Sequence, residues 1–127
     1  MPREHISEGL KKFIRQKIQT VFQLEVLLFL HRNQPKSFSI SEVADELGFE
    51  YDIAEEQLAA LVETGILEAD ESTYRYEPAK EQIRNLVDQL AHAYPTQRVL
   101  ILSLILSERP DKIRVFAEAI KLLRQDH

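Results

Sequence analysis

Residues 39–76 read SISEVADELGFEYDIAEEQLAALVETGILEADESTYRY, and this stretch decides the fold. Ser39 stands three residues before Glu42 and just ahead of the apolar residues Val43 and Ala44, which is the capping-box pattern of a helix start. Gly48 follows the last apolar position, and a glycine there can take the left-handed conformation that ends a helix. These signals predict a short helix over residues 40–47.

A second helix and a β-hairpin are predicted directly after it. Asp52 precedes Glu55 by three residues, which is a second N-terminal pattern. The following apolar residues recur at helical spacing as far as Thr64-Gly65: Ile53, Ala54, Leu58, Leu61 and Val62. The chain then alternates between β-prone segments, 66–67 and 73–76, and a polar turn at 70–72, which predicts a hairpin. Residues 38–40 are predicted to add a short third strand to it.

The order of these signals resembles that of a known family. The pattern Ser39-x-x-Glu42, then Leu47-Gly48, and finally Gly65-Ile66-Leu67 is similar to the winged helix-turn-helix of prokaryotic transcriptional regulators of the broad MarR and ArsR type. The resemblance covers residues 20–78 and implies a mainly α fold with a small β-hairpin wing, followed by C-terminal helices. It also implies contact with DNA through the second helix and the wing. The residues it places at that contact are Tyr51, Asp52, Glu55, Glu56 and Gln57, together with Arg75 in the wing.

The resemblance and the periodicity divide the chain into three parts. Residues 1–20 are predicted to hold an N-terminal amphipathic helix, residues 21–78 the winged helix-turn-helix domain, and residues 79–127 a C-terminal helical region that forms a dimer. Lys11, Lys12 and Arg15 lie on the polar face of the first helix, which either is solvated or contacts phosphates. Residues 21–32 are apolar nearly all round and are predicted to be core.

The C-terminal part is predicted to form helices that pack with a second copy of the chain. One helix should run from about Pro78 to Ala93, where Tyr94-Pro95 interrupts the pattern. The segment 98–107 is so uniformly apolar that a buried strand is the alternative to a helix, although its helical neighbours favour helix. A small core cannot cover all these side chains, so a homodimer is predicted, with sequestration inside one monomer as the alternative. The predicted dimerisation residues are Val99, Leu102, Ile105, Leu106, Ile113, Phe116 and Ile120.

Composition excludes several classes of function. The 127 residues suit one domain and include no cysteine, so disulfides and thiolate metal sites are excluded and a cytoplasmic location is expected. The longest apolar run, 99–106, is shorter than the roughly 20 residues of a membrane span, so no membrane contact is expected. The histidines are scattered, and Asp88 and His92 are expected to make a surface contact. We therefore expect a protein without enzymatic activity, cofactor or metal.

Charge separates two hypotheses about function. The net charge is −5, yet residues 37–90 carry fourteen acidic residues and only three Lys or Arg. Nucleic-acid binding draws most of its affinity from Lys and Arg that neutralise phosphates, so the acidic second helix disfavours duplex DNA as the partner. The first hypothesis is a small dimeric winged-helix transcriptional regulator that binds DNA. The alternative is a winged-helix module that binds no DNA and presents its acidic helix to a basic protein partner.

Overall fold

The computed structural model describes residues 6–107, and this part of the chain is mainly helical with a small antiparallel sheet of three strands. That confirms the predicted fold class at this level. In chain order the elements are α1 (Glu8–Lys17), α2 (Val21–Arg32), β1 (Phe38–Ser39), α3 (Ile40–Leu47), α4 (Tyr51–Glu63), β2 (Leu67–Asp70), β3 (Thr73–Tyr76) and α5 (Glu81–Ser107).

Local signals set both ends of α3 as predicted. The Ser39 hydroxyl accepts a hydrogen bond from the Glu42 amide at 3.1 Å, and the Glu42 carboxylate accepts one from the Ser39 amide at 2.8 Å. This capping box satisfies two amides that have no partner inside the helix. Gly48 ends α3 with φ at 71°, in the left-handed region that glycine enters without steric cost.

The start of α4 differs from its prediction. Glu50 is the N-cap residue, its side chain makes no capping hydrogen bond, and the helix already begins at Tyr51. Asp52 therefore lies in the first turn, where a carboxylate interacts favourably with the helix dipole instead of capping the helix. Aspartate is favoured both at the N-cap and in the first turn of a helix. The sequence pattern therefore placed the start of α4 two residues too late.

The hairpin and the third strand form as predicted. β3 lies between its two neighbours: Phe38 of β1 pairs with Tyr74, and Leu67 of β2 pairs with Tyr76. The turn after β2 includes Glu71, whose φ of 58° is unusual for a residue with a side chain. β3 is therefore hydrogen-bonded both to the strand that precedes α3 and to the strand that follows α4.

The core joins α1 and α2 to the rest of the described chain. α1 buries Leu10, Phe13 and Ile14, and α2 buries most of its apolar residues, as predicted. Phe22 is an exception, because it is largely exposed and meets the Phe49 ring edge-on at a centroid distance of 5.1 Å. The expectation that every apolar residue of α2 lies in the core is therefore wrong at that position.

α5 is interrupted close to the position that the sequence predicted. The helix begins at Glu81, three residues after Pro78, and the backbone departs from helical geometry at Gln97, where φ is −128° and ψ is 35°. Pro95 has no amide hydrogen for the preceding turn, and two helical segments meet at a kink just after it, as predicted for this position. The segment 98–107 is helical, so the alternative of a buried strand is wrong.

The predicted dimerisation residues fall into three groups. Val99 is 82% exposed and Leu106 is also exposed, while Leu102 is half-buried. Ile105 is 1% exposed, so it packs within its own chain and cannot also meet a second copy. Three further residues lie outside the described part of the chain: Ile113, Phe116 and Ile120.

Candidate functional site

One exposed stripe of α4 is acidic along its length. Asp52, Glu55, Glu56 and Glu63 are all exposed, and their spacing of three, four or seven residues places them on one side of the helix. The opposite side of α4 is buried in the core. The sequence of α4 contains no Lys or Arg, so nothing on this helix neutralises the stripe. We call these four residues the acidic stripe.

Gln57 is buried and does not belong to the exposed surface of α4 on which the sequence placed it. Its side chain is 7% exposed, and its Oε1 accepts a hydrogen bond from the Thr20 hydroxyl at 3.1 Å. The same hydroxyl accepts a bond from the Gln23 amide at 3.0 Å and so caps α2. Gln57 therefore fastens α4 to the start of α2, and its assignment to a DNA or partner contact is corrected. Tyr51, by contrast, is exposed at the start of α4.

A groove separates α4 from the hairpin. It has a volume of about 500 Å³ and carries two residues of the acidic stripe, Glu56 and Glu63, on its α4 side. Its remaining lining is apolar or aromatic: Ala59, Ala60, Val62, Ala69 and Tyr74. We call it the acidic groove. Sequence reasoning missed the contribution of Ala69 and Tyr74, which pair across the hairpin and reach α4 only through the tertiary fold.

Arg75 is neutralised by carboxylates of its own hairpin. Glu68 stands opposite Arg75 in the strand register and forms an ion pair with it, and Glu77 lies 3.9 Å from the Arg75 Nε. Such cross-strand pairs of opposite charge favour the hairpin. The arginine that the family resemblance assigns to DNA contact therefore forms an ion pair within its own hairpin.

The basic residues of α1 do not act as one surface. Lys11 pairs with Glu8 on its own helix at 3.4 Å. Lys12 lines a groove between α1 and α5, which Arg15 does not line. Lys17, at the end of α1, lies beside the acidic helix, since it lines one hollow together with Glu56 and Glu63. Part of the cationic surface is therefore next to the acidic stripe and not opposite to it.

A polar cluster connects β3, α2 and α5. The Asp88 carboxylate lies 2.8 Å from Nε2 of His31, a residue of α2. The sequence had suggested His92 as the partner of Asp88. The His31 ring meets the Tyr76 ring edge-on at 5.1 Å, and the Arg84 guanidinium lies 5.6 Å from the same ring. Tyr76 is 1% exposed and its hydroxyl has no hydrogen-bond partner among the described residues. Burial, and after it the Asp88 charge, raises the pKa of Tyr76 to about 12.

Residues 6–107 show neither a metal-binding cluster nor a membrane-spanning helix. This range contains no group of three or more His, Asp or Glu side chains that could hold a metal ion. None of its helices combines the length and hydropathy needed to cross a bilayer.

Comparisons with known proteins found no relative of this chain. The chain matches no protein-family model, no curated protein and no solved structure.

Proposed function

We propose that this protein is a winged-helix interaction module that binds a basic segment of a partner protein in its acidic groove. The order of α3, α4 and the hairpin supports the winged-helix assignment. The observation that carries the proposal is the acidic stripe beside an apolar groove on the helix that the family resemblance assigns to partner contact. Apolar side chains of a partner would fill the groove, and its Lys or Arg residues would meet Glu56 and Glu63.

Electrostatics favours this function over DNA binding. A duplex against α4 would place its phosphates beside four carboxylates without one Lys or Arg on the helix. Arg75, the cation of the hairpin, already pairs with Glu68. A glutamate can accept a hydrogen bond from a cytosine amino group, but one such contact gives only about 1–3 kcal/mol of discrimination and does not replace missing phosphate contacts.

The experiment compares two probes by fluorescence anisotropy: a basic amphipathic peptide and a labelled duplex DNA. The peptide is expected to bind and the duplex to remain unbound even at low ionic strength, where phosphate contacts are strongest. The double variant Glu55→Lys/Glu56→Lys should weaken peptide binding by about tenfold or more, because it reverses charge at the stripe.

A matched control separates a docking site from diffuse attraction. Asp45→Lys/Glu46→Lys makes the same charge change on α3, where both residues are exposed. It should weaken peptide binding clearly less than the α4 variant does. Equal effects of the two variants, or tight binding of the duplex to the unaltered protein, would contradict the proposal.

DNA binding by a dimeric regulator is the second candidate, because the family resemblance implies it and an exposed apolar stripe on α5 is compatible with a dimer. Val99 and Leu106 are exposed on α5 at a spacing of seven residues, with the half-buried Leu102 between them. Such a stripe is suited to pack against its copy across a two-fold axis. Self-association belongs to either function and is measured by the mass of the protein in solution. Only the duplex titration distinguishes the two.

A further inference from the structure

A second groove, of opposite polarity, lies between α1 and the first half of α5. Ser7, the residue before α1, donates to the Gln89 side chain at 3.2 Å, whereas Lys17 at the end of α1 lines the same groove as Lys80 just before α5. The two helices are therefore antiparallel neighbours. The groove between them has a volume of about 580 Å³. We call it the lysine groove.

The charge of the lysine groove comes from three lysines. Lys12 and Lys17 stand on its α1 side, about 7 Å apart along the helix axis, and Lys80 stands on its α5 side. None of the described residues that line the groove is acidic. Within residues 6–107, these three lysines form no ion pair, in contrast to Lys11 and Arg84. The tertiary structure thus collects positive charge within an acidic protein.

The floor of the lysine groove is apolar. Phe13, Ile83 and Leu86 line it, together with amide side chains such as Gln16 and Asn85. A ligand that fits this surface carries negative charge along its edges and apolar groups along its centre. The amides can donate to or accept from polar side chains of such a ligand.

Nucleic acid satisfies only the first of these two conditions. Proteins that bind single strands offer exposed aromatic rings on which bases stack, but Phe13 is the sole aromatic residue among the described lining residues and is 5% exposed. A duplex is too wide to enter the space between two packed helices. An amphipathic peptide helix with an acidic border matches both the floor and the rims.

We propose that the lysine groove binds an acidic amphipathic helix of a partner protein, with apolar side chains on Ile83 and Leu86 and carboxylates at Lys12, Lys17 and Lys80. This is a second docking site, separate in residues and in charge from the acidic groove. It does not depend on the function proposed for α4. The protein would then join a basic partner segment to an acidic one.

The test uses three labelled probes in anisotropy titrations with the full chain. The first is a peptide of about fifteen residues, near the length at which isolated helices become stable, with leucine at helical spacing and glutamate elsewhere. The second has the same composition in an order without an apolar face, and the third is a single-stranded oligonucleotide. The amphipathic peptide should bind at least about tenfold more tightly than either of the others.

Two single variants locate the binding. Lys12→Glu should weaken binding of the amphipathic peptide by about tenfold. Lys36→Glu makes the same change at an exposed lysine that does not line the groove, and it should alter binding by less than about twofold. The α4 variant Glu55→Lys/Glu56→Lys should leave this peptide bound, which keeps the outcome independent of the acidic groove. Equal binding of the two peptides, tighter binding of the oligonucleotide, or equal effects of Lys12→Glu and Lys36→Glu would overturn the proposal.

Discussion

The acidic groove and the lysine groove are built differently although both are furrows with an apolar floor. The acidic groove lies between elements that are close in sequence, α4 and the hairpin that follows it, and its charge is already visible in α4 alone. The lysine groove joins Lys12 and Lys17 to Lys80, more than sixty residues later. Surface charge on a single helix can be read from sequence, whereas charge assembled from distant segments requires the fold.

The first test of this comparison asks whether the two grooves belong to one cooperative unit, and it has the largest expected effect. Leu58 lies under the acidic stripe and Leu90 lies on α5, and both are fully buried in the same core. Leu58→Ala and Leu90→Ala should each lower the free energy of unfolding by about 2–5 kcal/mol through lost burial and a residual cavity.

Urea denaturation followed by circular dichroism and by tyrosine fluorescence measures this effect. The two signals should give one coincident transition in each variant, as expected for a single domain. Separate transitions, with one groove lost before the other, would show that the two surfaces fold independently. The control is Ala59→Ser, which changes an exposed residue of α4 and should alter the free energy of unfolding little.

The second test concerns Tyr76, which connects the hairpin of one groove with α5 of the other. Its pKa is raised from 10.0 to about 12 in the folded protein, chiefly by burial. The neutral phenol is thus favoured by folding, so its contribution is complete below pH 10 and is lost as the pH rises from 10 to 12. By this linkage the unaltered protein should lose about 1 kcal/mol more stability than Tyr76→Phe between pH 9 and pH 11.

Denaturation of both proteins at the two pH values provides the measurement. At neutral pH, Tyr76→Phe should be at least as stable as the unaltered protein, because it removes a buried hydroxyl without a partner among the described residues. Identical pH dependence of the two proteins would show that the phenol is not held neutral at this junction.

The third test compares a glycine that precedes α4 with a glycine of α1, and its expected effect is the smallest. Gly48 precedes α4 with φ at 71°, so Gly48→Ala should destabilise the protein by about 1 kcal/mol through backbone strain. Gly9 lies within α1 on the lysine groove, where a Cβ would have no atom within 4 Å. Gly9→Ala should stabilise the protein by about 0.5–1 kcal/mol through better helix propensity.

Thermal unfolding of the two glycine variants measures both signs in one experiment. The melting temperature should fall for Gly48→Ala and rise for Gly9→Ala, with peptide binding in the acidic groove unchanged in the second variant. A fall for both variants would mean that α1 does not have the helical geometry on which the lysine groove depends.

Sequence reasoning succeeded where neighbouring residues determine the outcome. The capping box at Ser39, the left-handed Gly48 and the polar turn between β2 and β3 each depend on a few consecutive residues, and each formed as predicted. It failed where two local signals compete or where a distant residue decides. Asp52 fitted both an N-cap and a first turn, and Gln57, predicted to face a partner, is held inward by Thr20.

By itself the sequence determined the element types and the acidic character of α4, because helical periodicity and charge are properties of consecutive residues. Tertiary structure alone decided which side chains are available: it turned Gln57 inward to Thr20, paired Arg75 with Glu68 and buried Ile105. It also brought Lys80 to Lys12 and Lys17. The physical reason is that burial and ion pairing depend on three-dimensional distance, which a one-dimensional pattern does not contain.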